Sequence, residues 1–100
     1  MRIILLFLIG VFACNGIPHF IQGITGRSHM TLFSKRSHPV TNVIWGMINF
    51  AIAGFLWKFG LSQTRLDKVA LIPLVLGAAV TAIYLANFWS NPDAKLPWHK

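Results

Sequence analysis

The sequence predicts an all-α integral membrane protein, with three transmembrane helices packed as a small bundle. Three observations carry this prediction. Hydrophobic residues make up 55% of the 100-residue chain and charged residues 11%, less than half the ~25% charged residues of soluble domains. The apolar residues fall into three runs, each close to the ~20 residues that a helix needs to cross a bilayer. No Lys, Arg, Asp or Glu interrupts any run, as expected where a charge at mid-membrane costs at least a few kcal/mol.

The first helix is predicted over residues 3–24. Arg2 followed by an apolar run resembles a signal peptide, and Val11-Phe12-Ala13-Cys14 resembles a lipoprotein cleavage box. The basic region is only one residue long, however, and apolar character continues past Cys14 through Phe20-Ile21. A retained helix is therefore expected. The second helix is predicted over 40–57, opened by Pro39 and ended by Lys58, and the third over 69–89, preceded by Lys68. The connectors are a polar, basic loop at 25–39, a shorter loop at 58–68 and a tail at 90–100. Together these make a single membrane domain, 1–100. Trp57, Trp89 and Trp98 lie near helix ends, where aromatic belts form.

Nine Lys and Arg face two acids, a formal charge of +7. The cations are dispersed at the ends of the apolar runs, and no basic run exceeds Lys35-Arg36. Such a pattern suits anionic lipid headgroups and argues against nucleic acid, whose recognition needs clustered charge. Arg2, Lys58, Arg65 and Lys68 fall on one side of the membrane, and Arg27, Lys35, Arg36, Lys95 and Lys100 on the other. That near-balance gives only a slight positive-inside bias, placing the first loop and the C-terminus in the cytoplasm.

Within the spans the informative residues are uncharged and polar. Asn15, His19 and Gln22 stand at i, i+4, i+7 on the first helix, one face of an α-helix. Asn42, Gly46, Asn49 and Ala53 repeat this spacing on the second helix, and Gly77, Thr81, Tyr84 and Phe88 on the third. At ~1.5 Å per residue from the first-loop surface, Asn15 and Asn49 share a level near mid-membrane. The three stripes can meet in the half of the membrane nearer the first loop. Pro18 removes a backbone bond beside His19 and predicts a kink there.

Two uses of this face follow. Polar side chains in hydrocarbon seek one another, and small residues let helices approach, so the stripe can be interhelical glue. Alternatively, it can line a polar cavity open toward the first loop. A cavity lined by Asn15, His19, Asn49 and Tyr84 would count against a purely structural role.

Catalytic chemistry is not expected. Both acids, Asp67 and Asp93, lie outside the spans, so there is no intramembrane carboxylate for proton coupling and no carboxylate pair. The four His are His19, His29, His38 and His99. No spacing among them supports a metal or haem site, and no cofactor is expected. The single Cys14 allows no intrachain disulfide.

Asn15-Gly16-Ile17-Pro18-His19-Phe20 followed by Pro39-x-x-Asn42-x-x-Trp45-Gly46-x-x-Asn49 resembles small, uncharacterised, multi-pass bacterial inner-membrane proteins that carry this pair of motifs. The resemblance spans roughly residues 13–54 and brings no activity with it. It implies that Asn15, Pro18, His19, Asn42, Trp45, Gly46 and Asn49 belong together.

The leading functional expectation is a structural, accessory or regulatory membrane subunit that packs through its polar and small face. It would work with the bilayer and with copies of itself or a larger membrane complex. The alternatives are a component of an oligomeric small-molecule transporter or channel around His19, and a membrane-embedded ligand- or lipid-binding protein or enzyme.

Overall fold

The computed structural model describes residues 2–61, 68–94 and 96–98. The chain folds into three α-helices: α1 Arg2–Ile24, α2 Pro39–Gly60 and α3 Leu71–Trp89, the last preceded by a short 3₁₀ turn, Lys68–Ala70. Each helix, α3 counted with its 3₁₀ turn, is long and apolar enough to cross a membrane, and the molecule measures 44 × 24 × 24 Å. Arg65, Asp67, Lys95, His99 and Lys100 lie outside the described residues.

Local chemistry sets the helix ends near the first loop. Gly26 takes a positive φ of 75° just beyond α1. Its N–H donates to the Gly23 carbonyl at 3.0 Å, and the Arg27 N–H donates to Gln22 at 2.9 Å. This paired closure satisfies carbonyls that the helix end would otherwise leave open, and it favours glycine at its left-handed position. α2 starts with Pro39 in its first turn, where the missing N–H costs nothing. The His38 ring caps that end, its Nδ1 accepting from the Val40 N–H at 3.1 Å. α2 runs three residues beyond the predicted Trp57, through Lys58 to Gly60. α1 continues past Pro18 to Ile24.

α1 is the central helix. It packs along both α2 and α3, which make far less contact with each other. Both crossings rest on glycine. A Cβ on Gly46 would lie 2.8 Å from the Phe20 backbone nitrogen and 2.9 Å from the Gly16 carbonyl. On the other side Gly10 abuts the α3 backbone at Leu74, and Gly77 abuts the α1 backbone at Phe7. Lipid tails are as apolar as leucine side chains, so helices in a bilayer associate through such close backbone approach rather than through hydrophobic burial.

The bundle has two unlike halves. Toward the N-terminus of α1, Leu6, Ile9, Ala53, Leu61 and Ala70 form an apolar core, flanked by Leu5, Phe12, Ala13, Leu56 and Leu74. Toward the first loop the buried residues include His19, Thr31, Ser37, Asn42 and Asn49. The large side chains left exposed, such as Ile3, Ile44, Phe55, Val75 and Ile83, form the outer surface expected to face lipid.

Candidate functional site

In the polar half, α1 and α2 are joined by two hydrogen-bonded pairs. Asn15 Nδ2 donates to Asn49 Oδ1 at 3.0 Å, and Asn49 Nδ2 turns back to its own helix, donating to the Trp45 carbonyl at 2.8 Å. His19 Nδ1 lies 3.1 Å from Asn42 Oδ1. His19 is 3% exposed, Asn42 0% and Asn49 1%.

Asn42 also organises the first loop. Its Nδ2 lies 3.0, 3.1 and 3.3 Å from the carbonyl oxygens of His29, Ser37 and His38. Two amide hydrogens therefore serve three acceptors, one of them shared. His29 and Ser37 pair their backbones in both directions, at 3.2 and 2.9 Å. The Thr31 and Ser37 hydroxyls lie 2.6 Å apart. Thr31 N–H donates to the Ser34 carbonyl at 3.0 Å, closing the tip. The predicted polar, basic loop is thus a folded cap, with Met30, Thr31 and Ser37 buried within it. Its hydroxyls and one asparagine satisfy its backbone groups, so it can lie against the helix ends. The tail is tied to it, since Trp98 Nε1 donates to the Leu32 carbonyl at 2.7 Å.

When the His19 ring is neutral, the network fixes its tautomer. Asn42 uses its nitrogen on three carbonyls, so the atom facing His19 is oxygen, and His19 must donate from Nδ1. Nε2 is left as an acceptor, and among the described residues it has no hydrogen-bond partner.

Because α2 and α3 splay apart on α1, a cavity of about 290 Å³ opens between them under the cap. Asn15, His19 and Asn49 line one wall, with Trp45 beside them. Phe12, Tyr84, Leu85, Phe88 and Trp89 form the rest, and Met30, Thr31, Leu32 and Leu96 form the roof. Tyr84 is 61% exposed, so the α3 side of the cavity faces outward, where lipid tails would lie. A larger hollow at the opposite end, of about 610 Å³, is lined by Arg2 and otherwise by apolar residues and alanine. Of these two, the first gathers uncharged polar groups.

The sequence-predicted residues divide accordingly. Asn15, His19, Asn42, Gly46 and Asn49 form the α1–α2 seam, and three of them also reach the cavity. Tyr84 joins the cavity wall without bonding to the α1–α2 polar groups. Thr81 and Gln22 are half-buried and outside the cavity lining. Pro18, also half-buried, sits one residue before His19 within α1.

Among the residues that sequence reasoning missed, Trp89 and His29 stand nearest His19. Trp89, expected in the interfacial belt, packs edge-on to His19 with ring centroids 5.9 Å apart. It lies closer still to His29, at 4.3 Å. His29 also approaches His19, at 5.4 Å. Both newcomers carry a buried polar atom, Trp89 Nε1 and His29 Nε2, without a hydrogen-bond partner. His29, in the cap, is held below the usual histidine range, first by burial and then by repulsion from His19. Among the described residues no group of three or more His, Cys, Asp and Glu is placed to hold a metal ion.

No protein-family model, curated protein or solved structure matches the chain.

Proposed function

We propose that this chain is a membrane-embedded binding protein for an amphiphile that enters from the lipid phase between α2 and α3. The carrying observation is the cavity lined by Asn15, His19, Asn49 and Tyr84. A purely structural stripe would close on itself. Here the seam residues bond across α1 and α2 and still present surface to a hollow on the α3 side. Aromatic and aliphatic walls suit a hydrocarbon chain, while a few polar groups fix orientation, as in small-molecule sites generally. His19 Nε2 offers an acceptor to a hydroxyl of the ligand.

The setting that goes with this reading is a bacterial inner membrane, with the cap and C-terminus cytoplasmic. The resemblance on Asn15–Phe20 and Pro39–Asn49 motivates the first part, and the slight excess of cations on that side the second. A role as subunit of a larger membrane complex is compatible, because the outer faces of α2 and α3 are unoccupied by this chain.

Intermolecular nuclear Overhauser effects test the proposal. Acyl-chain protons should reach the His19 ring and the Asn49 side-chain amide, although both residues are buried within the chain. Contacts confined to outward residues such as Ile44 and Ile83 would refute it.

A further inference from the structure

The amphiphile-binding reading leaves the two orphaned polar atoms unused. Trp89 Nε1 is an N–H donor with no alternative role. His29 Nε2 can donate equally well, because its tautomer is not fixed by any bond to the ring among the described residues. A buried polar atom left unsatisfied is costly, so two on neighbouring rings need an explanation.

Their surroundings supply one. Directly outside the roof lies a second, surface cleft lined by Ser28, His29, Met30, Lys35, Arg36, Trp89 and Asn91 among others. Met30 and Trp89 are walls of both this cleft and the inner cavity. The cleft is basic. Lys35 and Arg36 form the densest positive charge in the sequence, and neither forms an ion pair among the described residues. Pro92 and Ala94 border the cleft, while Asp93, between them in sequence, lines an adjoining depression that shares Asn91 and Ala94 with it.

Resting on that reading of the inner cavity, we propose that the ligand is an anionic amphiphile, its phosphate-class headgroup seated in the Lys35–Arg36 cleft. Trp89 Nε1 and His29 Nε2, buried on two residues of the cleft wall, donate to the headgroup oxygens once that wall opens locally, and the two cations balance its charge. The chain passes Met30 and Trp89 into the inner cavity. Cation-rich patches at the membrane surface favour anionic headgroups, and the buried donors make this patch a site of defined geometry.

The test uses the full chain in a nonionic detergent at low salt, with binding read by native mass spectrometry. Three probes are compared: dodecyl phosphate, dodecanol and inorganic phosphate. Dodecyl phosphate should bind on the order of tenfold or more tighter than dodecanol, given about 1 kcal/mol per surface cation. The variant Lys35→Gln/Arg36→Gln should weaken dodecyl phosphate on the order of tenfold, toward dodecanol, and leave dodecanol unchanged. Trp89→Phe should weaken dodecyl phosphate selectively. Equal binding of the two chain probes, or an unaffected double variant, overturns the headgroup site while sparing the inner cavity. Inorganic phosphate binding as tightly as dodecyl phosphate makes this a free-anion site and overturns the amphiphile assignment. If none of the three binds, the cavity reading fails too.

Discussion

His19 and Asn42 meet at 3.1 Å, and through this contact the α1–α2 seam is joined to the loop that caps it. Asn42 holds carbonyls at both ends of that loop, at His29 and at Ser37–His38. Asn42→Ala should therefore release the cap as well as loosen the seam. The expected loss is about 2–4 kcal/mol, since several buried acceptors lose their donor at once. Thermal unfolding in detergent should show it, and trypsin should cut faster at Arg27, Lys35 and Arg36. Unchanged unfolding and cleavage would contradict the bridging role.

Asn15 and Asn49 should couple energetically. In a double-mutant cycle with Asn15→Ala and Asn49→Leu, the interaction term should fall near 0.5–2 kcal/mol, the range for hydrogen bonds between membrane helices. Strict additivity of the two single changes would show that the pair adds nothing to packing.

Two glycines of α2 should behave oppositely. At Gly46 a Cβ would meet the α1 backbone at 2.8–2.9 Å, whereas at Gly54 it would meet nothing within 4 Å. Gly46→Ala should destabilise by about 1–3 kcal/mol, the usual cost of overpacking. Gly54→Ala should be neutral or slightly stabilising. Equal melting temperatures for the two variants would argue against the tight α1–α2 crossing.

Acidification should loosen the cap. His29 is held below the ordinary histidine value of ~6.5 by burial and by His19. The titratable or charged groups around it are His19 on α1 and Lys35 and Arg36 along the cleft. Above pH ~6.5 the ring is neutral in both the folded and unfolded states, so this group's contribution is level. Below that value the unfolded chain binds a proton that the folded cap resists. Stability should therefore decline with falling pH until the lowered folded value is passed, and then level off. Amide-exchange protection at His29 and Ser37, corrected for intrinsic rates, should fall between pH 7 and 5. His29→Gln should flatten the response. Protection independent of pH in the parent would contradict the assignment.

The parts of this architecture that repeat along a helix were readable from sequence. Asn15, His19, Asn42, Gly46 and Asn49 recur at helical spacing in charge-free runs, which placed them on facing stripes. The cap was not readable. His29 and Ser37 act through backbone pairing and through contact with Asn42, thirteen and five residues away in sequence, and Thr31 acts through the Ser37 hydroxyl; such contacts leave no periodic trace. Trp89 was half legible. It adjoins Phe88 on the α3 stripe, but a tryptophan at a helix end reads equally well as an interfacial anchor. The cavity exists because α3 contributes Tyr84 and Phe88 to the stripe without polar partners on α2. That outcome depends on the splay of two helices around α1, a tertiary property.

The most direct test of a binding cavity is to purify the chain from its native membrane and identify by mass spectrometry what remains bound. Leu85→Trp, which fills the space beside Phe12 and Tyr84, is the comparison. The parent should retain an amphiphile near one per chain. The variant should lose it while keeping its helical content and the Asn15–Asn49 coupling. Equal recovery from both proteins, or no bound amphiphile in the parent, would contradict the cavity's proposed role.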